Sequence, residues 1–237
     1  MVLLVGTLTI IALWEFMKIW EKMGISAWYK TNIITAVLWL TVMFAGGQEW
    51  MLAALVGWIL VALGRLSLGY PKIQLTEVSY NFLGLIYTVV LLSHLYLLRQ
   101  LPGGVGWTFL AFFLVWGTDT GAYLIGRAVG RHPLAPQVSP KKTVEGALGG
   151  LLTAILVGAL YWKWVGGAPL SYFLLLGIVV GVGAQLGDLF ESALKRSAGV
   201  KDSGKLIPGH GGILDRFDSF VFAIPIVYYS LMIWVMR

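Results

Sequence analysis

Acidic side chains occur at unusual places in this sequence. Asp119 and Asp188 lie inside apolar runs, FLVWGTDTGAYLIG and GVGAQLGDLFESALKR, and Asp215 and Asp218 follow the polar segment KDSGKLIPGHGG. An ionisable group inside an apolar run should face protein, water or a cation rather than lipid. Carboxylate oxygens are ligands of Mg²⁺, which usually takes one or two of them together with substrate phosphates. A single aspartate would fit a polar contact between helices equally well, but two beside a charged segment favour a site.

Basic side chains accompany these carboxylates. Lysine and arginine complement phosphate oxygens, and a divalent metal would help them to offset several phosphate charges. Together with the carboxylates, they indicate phosphoryl or nucleotidyl transfer at a membrane surface, although a solvated charge run is the ordinary alternative for any single lysine. The candidate cations are Lys141, Lys142, Lys195, Arg196, Lys201, Lys205 and Arg216.

The candidate residues fall in three segments of the chain. These are DTGAYLIGR (Asp119 to Arg127), SPKKTVEG (Ser139 to Gly146) and a longer run from Gly187 to Ser219. Within the third segment, helical spacing at i, i+3, i+4 and i+7 predicts a shared face for the polar residues from Asp188 to Lys195. We expect one site assembled from all three segments.

The glycine-rich sequence IPGHGG should interrupt the helix before it. Pro208 and the glycines around it break a helix and let the backbone approach a ligand closely. ILDRFDS then predicts a new helix with Asp215 and Asp218 in its first turn, where the helix dipole favours carboxylates. His210 has a glycine on each side and is either a substrate contact or a structural loop histidine.

The composition predicts an integral membrane protein. Of the 237 residues, 58% are hydrophobic and only 12% are charged, and the mean hydropathy is +0.82. Backbone groups in lipid must bond within their own segment, so apolar runs that can cross about 30 Å of hydrocarbon predict an all-α polytopic bundle of about eight helices. The predicted spans are Val2 to Trp20, Asn32 to Ala45, Trp50 to Gly69, Ser79 to Leu98, Gly104 to Gly126, Gly146 to Val165, Leu170 to Phe190 and Phe217 to Met236.

The basic residues give the expected orientation. With these spans, only Arg99, Lys163 and Arg237 of the seventeen lysines and arginines fall at one face, and the others fall at the opposite face. The positive-inside rule makes that opposite face cytoplasmic and places both chain termini outside. The three candidate segments then meet at the cytoplasmic membrane surface. A pI near 9.5 suits anionic headgroups and phosphates there, and no pattern of a nucleic-acid-binding module is present.

Small residues also recur four positions apart within the predicted spans. The pairs are Gly117 with Gly121, Gly146 with Gly150 and Gly177 with Gly181. Such pairs predict close packing between membrane helices.

The longest motif resembles a known family signature. The run S-x-L-K-R-x-x-x-V-K-D-x-G-x-x-x-P-G-H-G-G-x-x-D-R-x-D, from Ser192 to Asp218, is similar to that of the phosphatidate cytidylyltransferases, also called CDP-diacylglycerol synthases. DTGAY and SPKKTVEG resemble two further motifs of this family, in the same order. The resemblance covers the C-terminal half in detail and the first half only as hydrophobic spans. A run this long with fixed charged positions is far more specific than a short motif.

The resemblance implies a reaction in which CTP and phosphatidate give CDP-diacylglycerol and pyrophosphate, with Mg²⁺ required. It implies that Asp188 and Asp215 hold the metal centre, with a place for a monovalent cation such as K⁺, and that Lys195 and Arg216 join them as catalytic residues. The substrate-binding residues implied by the same motifs are Ser139, Lys141, Lys142, Thr143, Ser192, Arg196, Lys201, Asp202, Lys205, His210, Gly211, Gly212, Asp218 and Asp119.

The expected organisation follows from the spans and the resemblance. Residues 1–103 are expected to form N-terminal transmembrane helices, and residues 104–237 a catalytic region with cytoplasmic loops at 127–145 and 191–216. We expect a multi-pass protein of the cytoplasmic (inner) membrane, and the resemblance implies a homodimer. Family members usually begin with a basic segment and one more hydrophobic helix, so loss of one leading helix would produce the outside N-terminus.

The implied chemistry suits these residues. The nucleophile would be a phosphate oxygen of phosphatidate. This phosphate group is already ionised at neutral pH because phosphomonoesters lose their second proton at about pH 6. No general base is therefore needed. Two other functions stay open: a CTP-dependent polyprenol or dolichol kinase, whose alcohol acceptor would need deprotonation, and an ion-coupled transporter, with Asp119 and Asp188 as coupling sites. Transporters usually show paired halves with broken helices, which we do not find in this sequence.

Overall fold

Helices make up almost all of the regular structure. The computed structural model describes residues 1–206, 209 and 211–234, apart from the side chains of residues 48, 49, 165 and 234. Two short strands, β1 (Pro133–Ala135) and β2 (Ser139–Thr143), form an antiparallel hairpin. The helical segments are α1 (Val2–Lys22), α2 (Tyr29–Phe44), α3 (Gln48–Gly69), α4 (Leu75–Gly84), a π-helical segment (Leu85–Leu91), α5 (Leu92–Gln100), α6 (Gly104–Val129), α7 (Val144–Val165), α8 (Leu170–Ser197) and α9 (Leu214–Trp234).

Seven helical stretches within the described residues are long and apolar enough to cross a membrane. They correspond to seven of the predicted spans, with α4, the π-helical segment and α5 forming the single stretch Leu75–Gln100. The second predicted span is α2, an apolar helix of 16 residues, which is shorter than the roughly 20 residues that usually cross a bilayer. The predicted all-α polytopic fold is confirmed, and α2 is the one helix on which the number of crossings depends.

The chain folds as two compact units. The first unit is formed by Met1–Ser93 and Ser197–Asp215, and the second by His94–Arg196 and the part of the chain from Arg216 to residue 234. Each unit thus combines stretches that are distant in sequence. The predicted division between residues 103 and 104 concerns catalytic role and stays a prediction.

In the first unit, aromatic packing joins α1 to the π-helical segment. Phe16 and Trp20 are fully buried and meet edge to face with ring centroids 4.7 Å apart. The ring of Tyr87 lies 5.4 Å from that of Phe16. Gly84, just before the π-helical segment, leaves space for the indole, because an added Cβ would lie 2.9 Å from Cζ2 of Trp20. Close packing of these large aromatic rings favours a fixed arrangement of the two helices.

In the second unit, α6, α7 and α8 approach one another closely at glycines. An added Cβ at Gly150 of α7 would lie 2.7 Å from the carbonyl oxygen of Thr118 in α6. A Cβ at Gly177 of α8 would lie 2.8 Å from the carbonyl oxygen of Ala154 in α7. These distances leave no room for a side chain, so the helices pack at backbone distance. The close packing predicted from the glycine pairs is confirmed.

The hairpin between α6 and α7 differs from the sequence prediction. SPKKTVEG is predicted to be a loop, but its first five residues form β2. Glu145 closes the base of the hairpin, since its Oε2 accepts from the backbone N–H groups of Arg131 at 3.0 Å and His132 at 3.2 Å. Its Oε1 lies 2.5 Å from Nδ1 of His132. The strand is stabilised by these contacts across the hairpin, which local residue preferences do not reveal.

Substitution of Gly150 by alanine is expected to destabilise the second unit, because the new methyl group would press on the Thr118 carbonyl oxygen. Overpacking of this kind costs roughly 1–3 kcal/mol, so the thermal midpoint of the purified protein in detergent should fall. Gly57→Ala is the matched control, since nothing lies within 4 Å of a Cβ built there. Equal midpoints for the two variants would contradict tight packing between α6 and α7.

Candidate active site

One pocket in the second unit is lined by α6, the hairpin, the start of α7 and α8. Its volume is about 510 Å³, within the range of roughly 300–1,000 Å³ that is usual for small-molecule sites. Small and apolar residues form much of the wall, so the few polar groups can set the position of a ligand. The charged and aromatic lining residues are Asp119, Tyr123, Arg127, Lys141, Lys142 and Asp188.

An ion pair in this pocket joins the hairpin to α8. Nζ of Lys142, on β2, lies 2.5 Å from Oδ2 of Asp188, on α8. The two side chains are 27% and 32% exposed, so both charged groups can be reached from the pocket. Asp119 and Asp218 also lie close enough to Asp188 to interact with it electrostatically. The pocket wall therefore has two carboxyl groups, those of Asp119 and Asp188, beside its lysines, and Asp218 lies near them.

Helix α8 carries two pairs of polar residues at i, i+4 spacing. Ser192 Oγ donates to Oδ1 of Asp188 at 3.4 Å. Lys195 forms an ion pair with Glu191, whose side chain is fully buried. A buried carboxylate needs a nearby cation, so Lys195, which is predicted to be catalytic, also neutralises Glu191. The helical arrangement predicted for these four residues is confirmed.

Two further predicted residues hold the hairpin and the start of α7 in place, and a third lies in the hairpin itself. Arg196 Nε donates to the carbonyl oxygen of Val138 in the hairpin at 3.2 Å. Thr143 is the N-cap residue of α7, and its Oγ1 accepts from the N–H of Gly146 at 3.1 Å. Ser139 begins β2 and is partly buried. These contacts position the strand on which Lys141 and Lys142 lie.

In the first unit, the carboxylate of Asp215 joins the two ends of the polar loop that precedes α9, from Ser203 to Gly212. Its Oδ2 accepts from the N–H of Ser203 at 2.9 Å, the hydroxyl of Ser203 at 2.9 Å and the N–H of Gly212 at 2.7 Å. Gly211 has φ +83°, and an added Cβ would lie 2.5 Å from the same carboxylate oxygen. Asp215 and the two predicted glycines therefore form one compact turn.

The other predicted residues lie outside these two groups. Lys201, Asp202 and Lys205 are exposed in the first unit, and Arg216 is exposed in the first turn of α9. His210 lies outside the described residues. The structure brings Asp119, Lys141, Lys142, Thr143 and Asp188 together in one pocket. Asp188 and Asp215 belong to different units, each described by itself, so the metal centre predicted from both stays a prediction.

The pocket residues fit a magnesium ion that binds together with phosphate. In the described part of the chain, no three acidic or histidine side chains gather closely enough to hold a metal by themselves. Mg²⁺ at a phosphate site usually takes only one or two protein carboxylates, and substrate oxygens and water supply the rest. The partly exposed carboxylate of Asp188, beside Asp119 and Lys142, meets that requirement.

The structure adds two groups of residues to the candidates that were predicted from the sequence. Tyr123 and Arg127 line the pocket, and Arg127 Nη1 donates to the Tyr123 hydroxyl at 3.1 Å. Their spacing from Asp119, at i+4 and i+8 on α6, would have placed them on its helix face. Glu15 is buried in α1, and an acidic residue inside a predicted span is itself a sign of function.

A comparison with known protein families identifies the chain. The family model described as the cytidylyltransferase family matches residues 1–234. This chain belongs to the cytidylyltransferase family. The resemblance seen in the three motifs is confirmed, and so is the prediction of a nucleotidyltransferase at the level of the family. The match gives no support to the transporter alternative.

Several similar curated proteins are named phosphatidate cytidylyltransferase. The chain is 43% identical over 161 residues to that of Bacillus subtilis (strain 168), which covers 67% of this chain and 60% of the relative. It is 38% identical over 202 residues to that of Staphylococcus epidermidis, covering 83% and 77%. With a Synechocystis relative, identity is 50% over 143 residues, covering 57% and 46%. The chain thus spans from about half to three quarters of the length of these relatives.

Arg127 is expected to contribute to the binding of phosphate groups in this pocket. Its substitution by methionine should weaken the binding of a nucleoside triphosphate probe about tenfold or more, because hydrogen bonds to charged groups contribute about 1.5–3 kcal/mol. Equilibrium binding of labelled CTP to the purified protein measures the effect. Arg131→Met is the matched control, since Arg131 is exposed four residues further along and does not line the pocket. Similar weakening in both variants would mean that Arg127 acts only through general surface charge.

Proposed function

We propose that the protein transfers the cytidylyl group of CTP to phosphatidate, releasing pyrophosphate and forming CDP-diacylglycerol. The observation that supports this best is the pocket of the second unit, where Arg127, Lys141 and Lys142 occur with Asp188. The names of the curated relatives support the two substrates. The chain is a membrane protein by its helices, which suits a lipid substrate.

The reaction requires two anionic substrates to meet. A phosphate oxygen of phosphatidate attacks the α-phosphorus of CTP, and the bond from that phosphorus to the oxygen shared with the β-phosphorus breaks. The bonding electrons leave with pyrophosphate. The attacking phosphate is already ionised at neutral pH, since its second proton is lost at about pH 6. The protein therefore needs no general base.

The pocket residues supply positioning and charge. Lys141, Lys142 and Arg127 would bind phosphate oxygens and lower the repulsion between the two substrates. The pairing with Asp188 holds the Lys142 ammonium at the pocket until a substrate phosphate competes for it. Positioning of this kind contributes most of the rate in phosphoryl transfer, where little covalent chemistry is required of the protein.

The proposed cofactor is Mg²⁺, held by Asp188. When bound, the metal would neutralise phosphate charge and orient the triphosphate. The family resemblance assigns Asp215 to the same metal centre and a monovalent cation such as K⁺ beside it, and both assignments are part of this proposal. Asp119 would act from the pocket wall by attracting the cation, since it lies within electrostatic range of Asp188.

We further propose that the pocket opens to the cytoplasm from the inner membrane. The excess of lysine and arginine at one predicted face supports this orientation. Acyl chains would then stay in hydrocarbon while CTP arrives from water. A homodimer is also proposed, and cross-linking in membranes followed by mass measurement would test it.

The expected product can be tested with two labels. Purified protein with phosphatidate, Mg²⁺ and CTP labelled at the α-phosphate should give a labelled lipid, and CTP labelled at the γ-phosphate should give labelled pyrophosphate only. A polyprenol kinase would give the opposite result, with the γ-label in an alcohol lipid. Lipid labelled from the γ-phosphate alone would reject the cytidylyl transfer proposed here.

Asp188→Asn and Asp215→Asn are each expected to reduce turnover at least about a hundredfold while the protein still inserts and folds, because each removes a charge assigned to the metal centre. Initial rates over a range of Mg²⁺ concentrations measure the effect. Glu21→Gln is the matched control, since Glu21 is an exposed carboxylate whose ion pair with Lys18 should contribute little. Activity like that of the wild type in either aspartate variant would remove that residue from the metal centre.

A further inference from the structure

A buried carboxylate of α1 contacts the polar loop of the first unit. Glu15 is 1% exposed. Its Oε2 accepts from the N–H of Leu214 at 2.8 Å, and its Oε1 accepts from the N–H of Ile213 at 3.1 Å. The first N–H groups of a helix have no partner within it, so Glu15 satisfies the start of α9 from a different helix. A residue about 200 positions away in sequence therefore caps the segment that carries Asp215.

Two glycines of the family signature leave space for this carboxylate. An added Cβ at Gly212 would lie 2.5 Å from both Glu15 oxygens. An added Cβ at Gly204 would lie 2.9 Å from Cδ of Glu15. Any side chain at these two positions would push the loop away from α1. The small size of both residues is thus explained by the passage of the loop backbone over Glu15.

Ser203 links Glu15 to Asp215. The Ser203 hydroxyl is 3.2 Å from Oε2 of Glu15 and 2.9 Å from Oδ2 of Asp215. The serine is buried, and its N–H also donates to the same oxygen of Asp215. A change at Glu15 would therefore be passed to Asp215 by two routes, through Ser203 and through the backbone at the start of α9.

We infer that Glu15 is a positioning residue for the reaction: it fixes the polar loop before α9 and the orientation of the Asp215 carboxylate. The inference rests on the proposed function, in which Asp215 takes part in the metal centre. A carboxylate inside an apolar helix is unfavourable unless its oxygens have hydrogen-bond donors, and the loop supplies those donors. The loop and the carboxylate thus stabilise each other. The first transmembrane helix then belongs to the catalytic machinery as well as to the membrane anchor.

The test compares Glu15→Gln and Glu15→Ala with Thr9→Val. Thr9 is a fully buried polar residue of the same helix, so its variant controls for the loss of a buried polar group in α1. Trypsin cleavage after the exposed residues Lys201 and Lys205 reports on the loop without any need for activity. Cleavage there should become at least about threefold faster in Glu15→Ala and should not change in Thr9→Val.

Steady-state kinetics separate positioning from general stability. Glu15→Ala should lower kcat about tenfold to a hundredfold, with a KM for CTP within about threefold of the wild type, because the CTP-binding lysines and arginine of the pocket are not altered. Glu15→Gln keeps one oxygen acceptor, so its kcat should lie between those of Glu15→Ala and the wild type. Thr9→Val should have a kcat close to that of the wild type.

The results of these experiments distinguish a positioning role for Glu15 from an effect on overall stability. Wild-type kcat in both Glu15 variants, or unchanged cleavage at the loop, would overturn the positioning role. A loss of kcat in Glu15→Gln together with faster cleavage along the whole chain would overturn it too, since that pattern means general unfolding. If the wild-type protein forms no CDP-diacylglycerol, the proposed function fails, and the cleavage rates still decide whether Glu15 fixes the loop.

Discussion

A carboxylate buried among apolar helices must have donors or a cation close to it, and this requirement organises both units of the protein. In the first unit, Glu15 obtains its donors from the loop before α9. In the second unit, Lys195 neutralises the fully buried Glu191. Because water is scarce in such surroundings, Glu15 holds a distant loop against α1, while Glu191 keeps the Lys195 ammonium beside it on the same helix. The acidic residues therefore determine where the polar segments lie as well as what they can bind.

Close packing of α6, α7 and α8 is the second condition for the pocket. Backbone contact at Gly150 and Gly177 brings these helices near one another and leaves a concave space beside the hairpin. Arg196 and Glu145 then hold the hairpin, so that Lys142 reaches Asp188. A bulkier helix interface would separate the elements that supply the pocket charges. Packing thus sets the distances between the elements of the pocket, and the charges of the side chains determine which ligands the pocket attracts.

The proposed reaction requires little covalent chemistry from the protein, and the residues in the pocket agree with this requirement. The attacking phosphate arrives ionised, and pyrophosphate leaves without a protein nucleophile. Lysines, an arginine and carboxylates are sufficient if they hold two substrates in line and offset their charges. Because positioning is the main task of the protein in this reaction, a residue such as Glu15 can affect the rate without touching either substrate. Small errors in the position of a charged group weaken its interaction where the effective dielectric is low.

Hydrophobic runs and charged motifs in the sequence were sufficient to predict the membrane helices, the family and most of the charged residues of the pocket, because span length and motif spacing are local properties. Only the tertiary structure showed that Ser139–Thr143 pairs as a strand, that Asp215 accepts three hydrogen bonds from its own loop and that Glu15 caps α9. The physical reason is distance along the chain. The Arg196 contact with the hairpin joins residues 58 positions apart, and the Glu15 contact with Leu214 joins residues 199 positions apart. Such pairs are selected by packing of whole helices, which no local pattern of residues specifies.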